Sequence, residues 1–440
     1  MSVLLYALFA LHAAGPGQVI DSVICKADPT QSYALYVPAK GRKEALPIIY
    51  FFDPHADGAL PVRKYKALAD AYGFILAGSN NSKNGNDWSV TANILRQFFD
   101  DTRRRLRIDN HRIYTCGFSG GAKVAGYTAL QHPEVKGVIA GGAGLPDGTH
   151  AGDFPFSFTA IAGEGDMNMT ELVGITSDLD HTKTRHRIIF FDGKHEWSPV
   201  ATMNLAFAGL QFDAMRESTL PRDAELIDHY ANASRKRLDN DYSAGQFIKA
   251  ARECTLSISL LDGLSADAGW FREKATALTK NPLYQKQRQT EQDLLTTEQN
   301  TKAEYMQHFQ QDDMNYWTTT IRDLQSKANP QTAKGAMYQR LLAYLSLAFY
   351  SISNQLINGN QNTVAHHFVE LYKMVDPTNS EAWYFSAILD VRDSQTQAAE
   401  NDLVRAAACG FRDKDRLLAQ PEFKNESFVR ILKGRLSFLK

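Results

Sequence analysis

A serine stands among small residues where a strand-like run passes directly into a helical pattern. The run Gly-Phe-Ser-Gly-Gly at residues 117–121 follows the strand-like residues 112–116 and precedes a helical pattern over residues 122–131. A serine hydroxyl is a weak nucleophile unless a base lies beside it and backbone N–H groups can bind the oxyanion that forms. A sharp strand-to-helix turn exposes the hydroxyl and requires small neighbours. The pattern predicts that Ser119 is a nucleophile; a glycine- and serine-rich turn without chemistry is the alternative.

A nucleophilic serine on such a sheet needs an acid and a histidine, which follow it in the chain on loops after later strands. Asp166 follows the strand-like residues 158–162, and His195 follows the strand-like residues 187–191. Asp166 is preferred as the acid because it comes at the carboxyl end of a strand. Other acidic residues stand near it in the chain: Asp153, Glu164, Asp178 and Asp180. The order predicts that His195 is the base and that Asp166 orients it.

Two backbone N–H groups are expected to bind the oxyanion. Gly120, directly after the serine, is predicted to supply the first. The loop after the apolar residues 47–52 is expected to supply the second. Pro54 in this loop has no N–H, which leaves His55 or Ala56. We predict His55; a turn whose polar groups bond to one another is the alternative.

Two tryptophans are candidates for substrate contact. Trp88 ends a long polar loop at residues 80–88, and Trp197 comes two residues after His195. Both are predicted to stack on a sugar or phenolic ring at the mouth of the site. An ordinary solvated connection is the alternative for the loop.

The net charge, the spacing of the cysteines and the histidine motifs argue against a nucleic-acid partner and a metal site. The net charge of −1, without a basic stripe, gives no reason to expect nucleic acid as a partner. The four cysteines are scattered without a Cys-x-x-Cys pair. The His-Glu pair at residues 195–196 does not continue into His-Glu-x-x-His, because Pro199 stands where the second histidine belongs. We therefore predict neither a metal nor another cofactor.

The order of elements predicts two domains in the 440 residues. Strand-like and helical patterns alternate up to about residue 217, which predicts a mostly parallel sheet with helices on both faces. From residue 221 to 440 almost every pattern is helical. The sequence therefore predicts an α/β catalytic domain over residues 16–217 and an all-α domain over residues 221–440. The polar residues 285–311 are expected to form either a solvated helix or a mobile connector.

The first residues carry an apolar run at residues 3–14 that is too short to span a bilayer. Its length and the small residues after it predict a signal peptide at residues 1–15. Because no Lys or Arg stands near Met1, an ordinary buried segment is the alternative. The expected location is outside the cell, in the periplasm or in the cell envelope; the cytoplasm is the alternative. No transmembrane segment is predicted.

The helical region contains a periodic pattern that resembles the tetratricopeptide repeat, in which small residues let two antiparallel helices pack closely. The residues that carry this resemblance are Ala365, Pro377, Trp383, Ala387, Ala399, Leu403 and Ala406. It implies repeat-like helices near residues 334–410 and a protein partner for this domain. A generic helical hairpin is the alternative.

Residues 46–215 resemble the α/β-hydrolase superfamily, and more narrowly the esterases similar to polyhydroxybutyrate depolymerases and feruloyl or acetylxylan esterases. The resemblance is carried by residues 117–121 and by Gly-Lys-His-Glu-Trp at residues 193–197. It implies Ser119 as nucleophile, His195 as general base and Asp166 as orienting acid. The sequence departs from the family at Asp-Pro-His, residues 53–55, where many relatives have His-Gly.

These patterns together predict a serine hydrolase that cleaves carboxylic esters through an acyl-enzyme, acting on carbohydrate-linked acyl groups or polyesters. A serine peptidase is an alternative, because ester and peptide cleavage share the triad. A protein-interaction module is another, in which the helical domain binds a partner and the hydrolase domain is inactive scaffold.

Overall fold

The computed structural model describes residues 17–39, 44–310, 314–329, 331–425, 430 and 433–435. The predicted signal peptide at residues 1–15 lies outside these ranges. The chain divides into two compact units, Met1–Gln292 and Asp293–Lys440. Within the described ranges, every helix falls short of the combination of length and continuous apolar sequence that a bilayer crossing requires.

One sheet of eight strands organises the first unit. The strands are β1 Ile20–Ile24, β2 Ser32–Tyr36, β3 Leu46–Phe52, β4 Ile75–Ser79, β5 Ile108–Phe118, β6 Val135–Gly141, β7 Ser157–Gly163 and β8 His186–Phe191. Their order across the sheet is β1-β2-β4-β3-β5-β6-β7-β8. The β1–β2 and β2–β4 pairs are antiparallel, and all other pairs are parallel. The carboxyl ends of the parallel strands therefore share one edge, which is where loops can bring side chains together.

Helices cover both faces of this sheet. They are α1 Ala59–Tyr72, α2 Trp88–Arg105, α3 Gly120–Gln131, α4 Met169–Leu179 and α5 Val200–Arg216. Neighbouring residues of β3 show the two faces, because Tyr50 stacks on Phe99 of α2 at 4.0 Å whereas Phe51 lies 6.1 Å from Tyr65 of α1. Burial on both sides explains why β3 is an almost continuous apolar run. The predicted fold class, a doubly wound, mostly parallel sheet with helices on both faces, is confirmed.

Three further helices, α6 Ala224–Ser243, α7 Phe247–Leu261 and α8 Asp267–Thr279, belong to the same compact unit as the sheet. Their buried residues join the hydrophobic cluster that the sheet and α5 form. Phe212 of α5, for example, meets Tyr230 of α6 edge to face at 5.2 Å. The change in composition near residues 217–221 thus marks the end of strand and helix alternation, whereas the compact unit continues to Gln292, inside helix α9 (Pro282–His308).

The second unit is entirely helical in its described part, as predicted for the C-terminal region. After the end of α9 its helices are α10 Met314–Lys327, α11 Ala333–Asn358, α12 Asn362–Val375, α13 Ser380–Arg392, α14 Thr396–Ala408 and α15 Lys414–Ala419. Its core contains the small residues of the repeat-like pattern, Ala365, Ala387, Ala399 and Ala406. The carboxylate of Glu298 is buried beside Arg340 at 2.7 Å. The tetratricopeptide-like character stays a prediction.

Candidate functional site

The serine of the Gly-Phe-Ser-Gly-Gly run lies at a sharp turn between β5 and α3. Ser119 has φ 53° and ψ −127°, a conformation that non-glycine residues rarely adopt. Its N–H donates to the carbonyl of Gly141 on β6 at 2.8 Å, which holds the turn against the sheet. A Cβ on Gly117 would collide with the backbone of Gly121, and one on Gly121 would collide with the carbonyl of Phe52. The glycines are therefore required for the helix to approach the strands this closely.

Three side chains from separate loops meet at the carboxyl edge of the sheet. His195 Nε2 lies 2.9 Å from Ser119 Oγ, and His195 Nδ1 lies 3.0 Å from each carboxylate oxygen of Asp166. The Asp166 side chain is 1% exposed and that of His195 is 20% exposed. His195 thus lies within hydrogen-bond distance of both the serine and the acid that the sequence singled out, in the order that serine hydrolysis requires.

Backbone hydrogen bonds join the loop that carries the acid to the loop that carries the histidine. Glu164 N–H donates to the carbonyl of Phe191 at 3.0 Å, and Gly165 N–H donates to the carbonyl of Gly193 at 2.8 Å. A Cβ on Gly163, at the end of β7, would come within 2.7 Å of the carbonyls of residues 193 and 194. The two loops consequently form one structure, which fixes the separation of Asp166 from His195.

Gly142 and Asn168 support this pair, and sequence reasoning missed both. Asn168 donates its backbone N–H to Asp166 Oδ1 and its side-chain amide to the carbonyl of Gly142, each at 2.8 Å. Gly142 has φ 66°, and a Cβ there would lie 3.1 Å from His195 Cε1 and 2.7 Å from the Phe118 ring. Asn168 stands two residues after the acid, which is a usable signal. Nothing in the sequence distinguishes Gly142 from other glycines.

The loop after β3 is arranged around a buried carboxylate. Asp53 is 3% exposed, and its Oδ1 accepts hydrogen bonds from the N–H of His55 at 2.8 Å and of Asp57 at 3.4 Å. The N–H of Ala56 donates to the carbonyl of Asp53 at 3.2 Å. The expectation that His55 supplies the second oxyanion donor therefore meets an obstacle, because its N–H is bonded within the loop. Gly120 is the first residue of α3, where an N–H has no carbonyl one turn earlier in the helix.

The two tryptophans have different environments. Trp197 is 8% exposed, lies 5.6 Å from Phe118, and donates its Nε1–H to Asp53 Oδ2 at 2.8 Å. Because it is packed in the core, we assign Trp197 to supporting the site and not to the predicted stacking on substrate. Trp88 is 45% exposed and stacks on Tyr127 of α3 at 4.5 Å.

Among the described residues, neither the thiol close to Ser119 in the chain nor a metal site adds chemistry to this turn. Cys116, three residues before the serine, is buried, and burial raises the pKa of its thiol well above the usual value. The thiol is therefore kept protonated. The described residues contain no group of three or more histidine, cysteine, aspartate or glutamate side chains that could hold a metal ion.

Comparisons with known proteins give structural similarities alone. No protein-family model matches the sequence, and no curated protein sequence matches it. An esterase from Pyrobaculum calidifontis is similar at 14% identity with a TM-score of 0.37, over 49% of this chain and 90% of that one. An S-formylglutathione hydrolase from Agrobacterium tumefaciens is similar at 18% identity with a TM-score of 0.34, over 42% of this chain and 89% of that one. A fluorophosphonate-binding serine hydrolase from Staphylococcus aureus is similar at 13% identity with a TM-score of 0.37, over 45% of this chain and 99% of that one.

Proposed function

We propose that the chain is a serine hydrolase that cleaves carboxylic esters through an acyl-enzyme intermediate. The observation that carries the proposal is the hydrogen-bonded series in which His195 lies 2.9 Å from Ser119 Oγ and 3.0 Å from Asp166. Ser119 adds the strained turn that presents a nucleophilic hydroxyl on this type of sheet.

The proposed reaction has two halves. Ser119 Oγ attacks the ester carbonyl carbon while its proton passes to His195 Nε2, and the oxyanion that forms faces the N–H of Gly120. The intermediate then expels the alcohol, which takes the proton from His195 Nε2 and leaves an acyl group on Ser119. Water attacks this acyl group with His195 again as base, and the carboxylic acid leaves. Asp166 accepts the hydrogen bond from His195 Nδ1–H and so holds the imidazole in the productive tautomer.

For the substrate we propose an acyl group linked to a sugar or a phenolic alcohol, or a polyester. The feature that supports an aromatic contact is Trp88, whose ring is 45% exposed beside Tyr127. Tyr127 lies on α3, the helix that starts directly after the nucleophile. Exposed aromatic rings of this kind stack readily on sugar and phenolic rings.

The direct test is hydrolysis of p-nitrophenyl acetate by the full chain and by Ser119→Ala. We expect the variant to lose turnover while its circular dichroism spectrum stays unchanged. Ser89→Ala, at an exposed position in the first turn of α2, is the matched control and should retain full activity. Equal turnover by wild type and Ser119→Ala would refute the proposal.

A parallel assay on p-nitroacetanilide separates an esterase from a peptidase. Cleavage of the amide by wild type that Ser119→Ala abolishes would favour the peptidase alternative, whereas cleavage of the ester alone favours the esterase. A folded wild-type chain that cleaves neither would favour the alternative in which the α/β unit is inactive scaffold.

A further inference from the structure

Backbone contacts join the loop after β4 to the loop after β3, beside the proposed nucleophile. Asn84 donates its backbone N–H to the carbonyl of Pro54 at 2.9 Å. His55 and Lys83 form an antiparallel bridge next to this bond. Two loops that are distant in sequence are therefore held together by their backbones, independently of the Asn84 side chain.

The side-chain amide of Asn84 lies against the residue that follows the serine. A Cβ built on Gly120 would collide with Asn84 Oδ1, which is the nearest atom of the amide, and would stand 2.9 Å from Asn84 Cγ and 3.4 Å from Asn84 Nδ2. A larger residue at position 120 would therefore displace this amide. Gly120 thus has a second role besides the tight turn, which is to make room for the carboxamide of Asn84.

An ester-cleaving site needs more than one donor for the oxyanion, and the backbone donors expected in the β3 loop are already engaged. The N–H groups of His55, Ala56 and Asp57 all donate to atoms of Asp53. A carboxamide carries two N–H donors and one acceptor oxygen, and a half-turn about its Cβ–Cγ bond exchanges them. In Asn84 this half-turn brings Nδ2 to the side of Gly120 where Oδ1 lies in the structure. Among the described residues, no side-chain hydrogen bond holds the Asn84 amide in place.

We propose that Asn84 is a catalytic residue whose Nδ2–H, after a half-turn of the amide, donates a hydrogen bond to the oxyanion, together with the N–H of Gly120. This inference rests on the proposed function, because it assigns a role in the same reaction. The amide binds the charge that develops on the carbonyl oxygen after Ser119 attacks, and it forms no covalent bond. Its contribution is therefore made in the transition state and appears in kcat more than in KM.

The test compares Asn84→Ala and Asn84→Asp with wild type on p-nitrophenyl acetate. Loss of one oxyanion donor lowers kcat by about 10²–10³-fold, with KM little changed. Asn84→Asp keeps the size of the side chain and the backbone bond to Pro54 but replaces the donor with a negative charge. We expect Asn84→Asp to lose at least as much activity as Asn84→Ala.

The matched control is Lys83→Ala, an exposed position in the same loop, which should retain wild-type kcat. Thermal unfolding midpoints of all the variants report on folding. A kcat for Asn84→Ala within about twofold of wild type would overturn the inference. Full activity of Asn84→Asp would also overturn the inference, since activity would then depend on the shape of the side chain and not on its N–H donor. If Ser119→Ala abolishes turnover while both Asn84 variants retain it, the proposed function stands and the role of Asn84 at the oxyanion is refuted. Absence of turnover in wild type removes both.

Discussion

The backbone of Ser119 carries strain that the surrounding residues hold in place. A non-glycine residue in such a conformation costs on the order of 1–3 kcal/mol and persists only where neighbouring structure enforces it. Here the bond from Ser119 N–H to Gly141 and the close approach of Gly121 to Phe52 provide that enforcement. Strain of this kind concentrates at functional sites, which agrees with a nucleophilic role for the serine.

Gly142 offers a test of how tightly the histidine is positioned. Gly142→Ala should lower kcat by about 10²-fold, because its Cβ would push on His195 Cε1 and on the Phe118 ring. The positive φ of Gly142 also implies a loss of about 1 kcal/mol in stability. The measurements are kcat on p-nitrophenyl acetate and the free energy of unfolding in urea.

Gly148→Ala is the matched control for this prediction. Gly148 has φ 79°, so alanine is strained there as well, but a Cβ at that position meets nothing within 4 Å. It should lose similar stability and keep its activity. Equal effects of the two substitutions on kcat would show that Gly142 acts through backbone strain alone.

Several site residues can be predicted from the sequence, and others cannot. The Gly-Phe-Ser-Gly-Gly run and the order of acid and histidine after later strands single out Ser119, Asp166 and His195, because chain order and strand ends are visible in sequence. The bond from Trp197 to Asp53 joins positions far apart in the chain. Its existence depends on loop geometry, so a tryptophan predicted to face substrate is in fact buried.

At the scale of elements, helix α7 supports the loops that carry the proposed acid and histidine. Arg252 pairs with Glu164 at 2.9 Å and with Glu291 at 2.6 Å, and its guanidinium lies 3.8 Å from the centre of the Phe190 ring. Lys249, one turn earlier, lies 3.3 Å from Asp192. Glu164 stands two residues before Asp166, so α7 holds the acid loop from outside the sheet.

Arg252→Ala should therefore reduce both stability and activity. The expected loss in unfolding free energy is about 1 kcal/mol, since the pairs are partly exposed and the contact with Phe190 adds to them. We expect kcat to fall several-fold because the acid loop loses a contact. Urea unfolding and ester hydrolysis measure the two effects.

Arg272→Ala is the control for a generic ion pair. Arg272 pairs with Asp262, and both side chains are about half exposed. Its replacement should change neither stability nor kcat measurably. If Arg252→Ala behaves like Arg272→Ala, α7 does not support the site.

Elements with a strong apolar pattern can be predicted from the sequence, and weakly patterned ones cannot. Strand β3 and helix α2 show their buried faces clearly. Strand β5 begins at Ile108, earlier than the predicted 112, because its first residues are polar and partly exposed and lack an apolar signature. Helix α8 lies in the region predicted to be helical, but its bounds have no clear apolar signature, since few of its residues, among them Ala268, Phe271 and Leu278, are buried.

At the scale of the whole molecule, the sheet and helices α6–α8 share one hydrophobic core. Tyr72 of α1 hydrogen-bonds Tyr230 of α6 at 2.9 Å, and Tyr230 packs on Phe212 of α5. A change from alternating elements to helices is visible in sequence. The sequence does not show whether a helix after that change packs against the sheet or within the second unit, because both units bury helices with similar amphipathic patterns.

Two truncated chains test this division. A fragment of residues 1–292 should fold and retain ester hydrolysis, because it keeps the complete core of the first unit. A fragment of residues 1–221 should aggregate, since it exposes the apolar face of α5 that Tyr230 covers. Size-exclusion chromatography and p-nitrophenyl acetate hydrolysis measure the outcome. A soluble, active 1–221 fragment would place the boundary where the composition changes.

The most direct test of the central claim is to identify the residue that a fluorophosphonate modifies. The wild-type chain, labelled and digested, should carry the phosphonyl adduct on Ser119 in peptide mass spectrometry, at up to one group per chain. His195→Ala should label far more slowly, because the base that activates the hydroxyl is gone. An unlabelled wild-type chain, or an adduct that persists in Ser119→Ala, would contradict the assignment of Ser119 as the nucleophile.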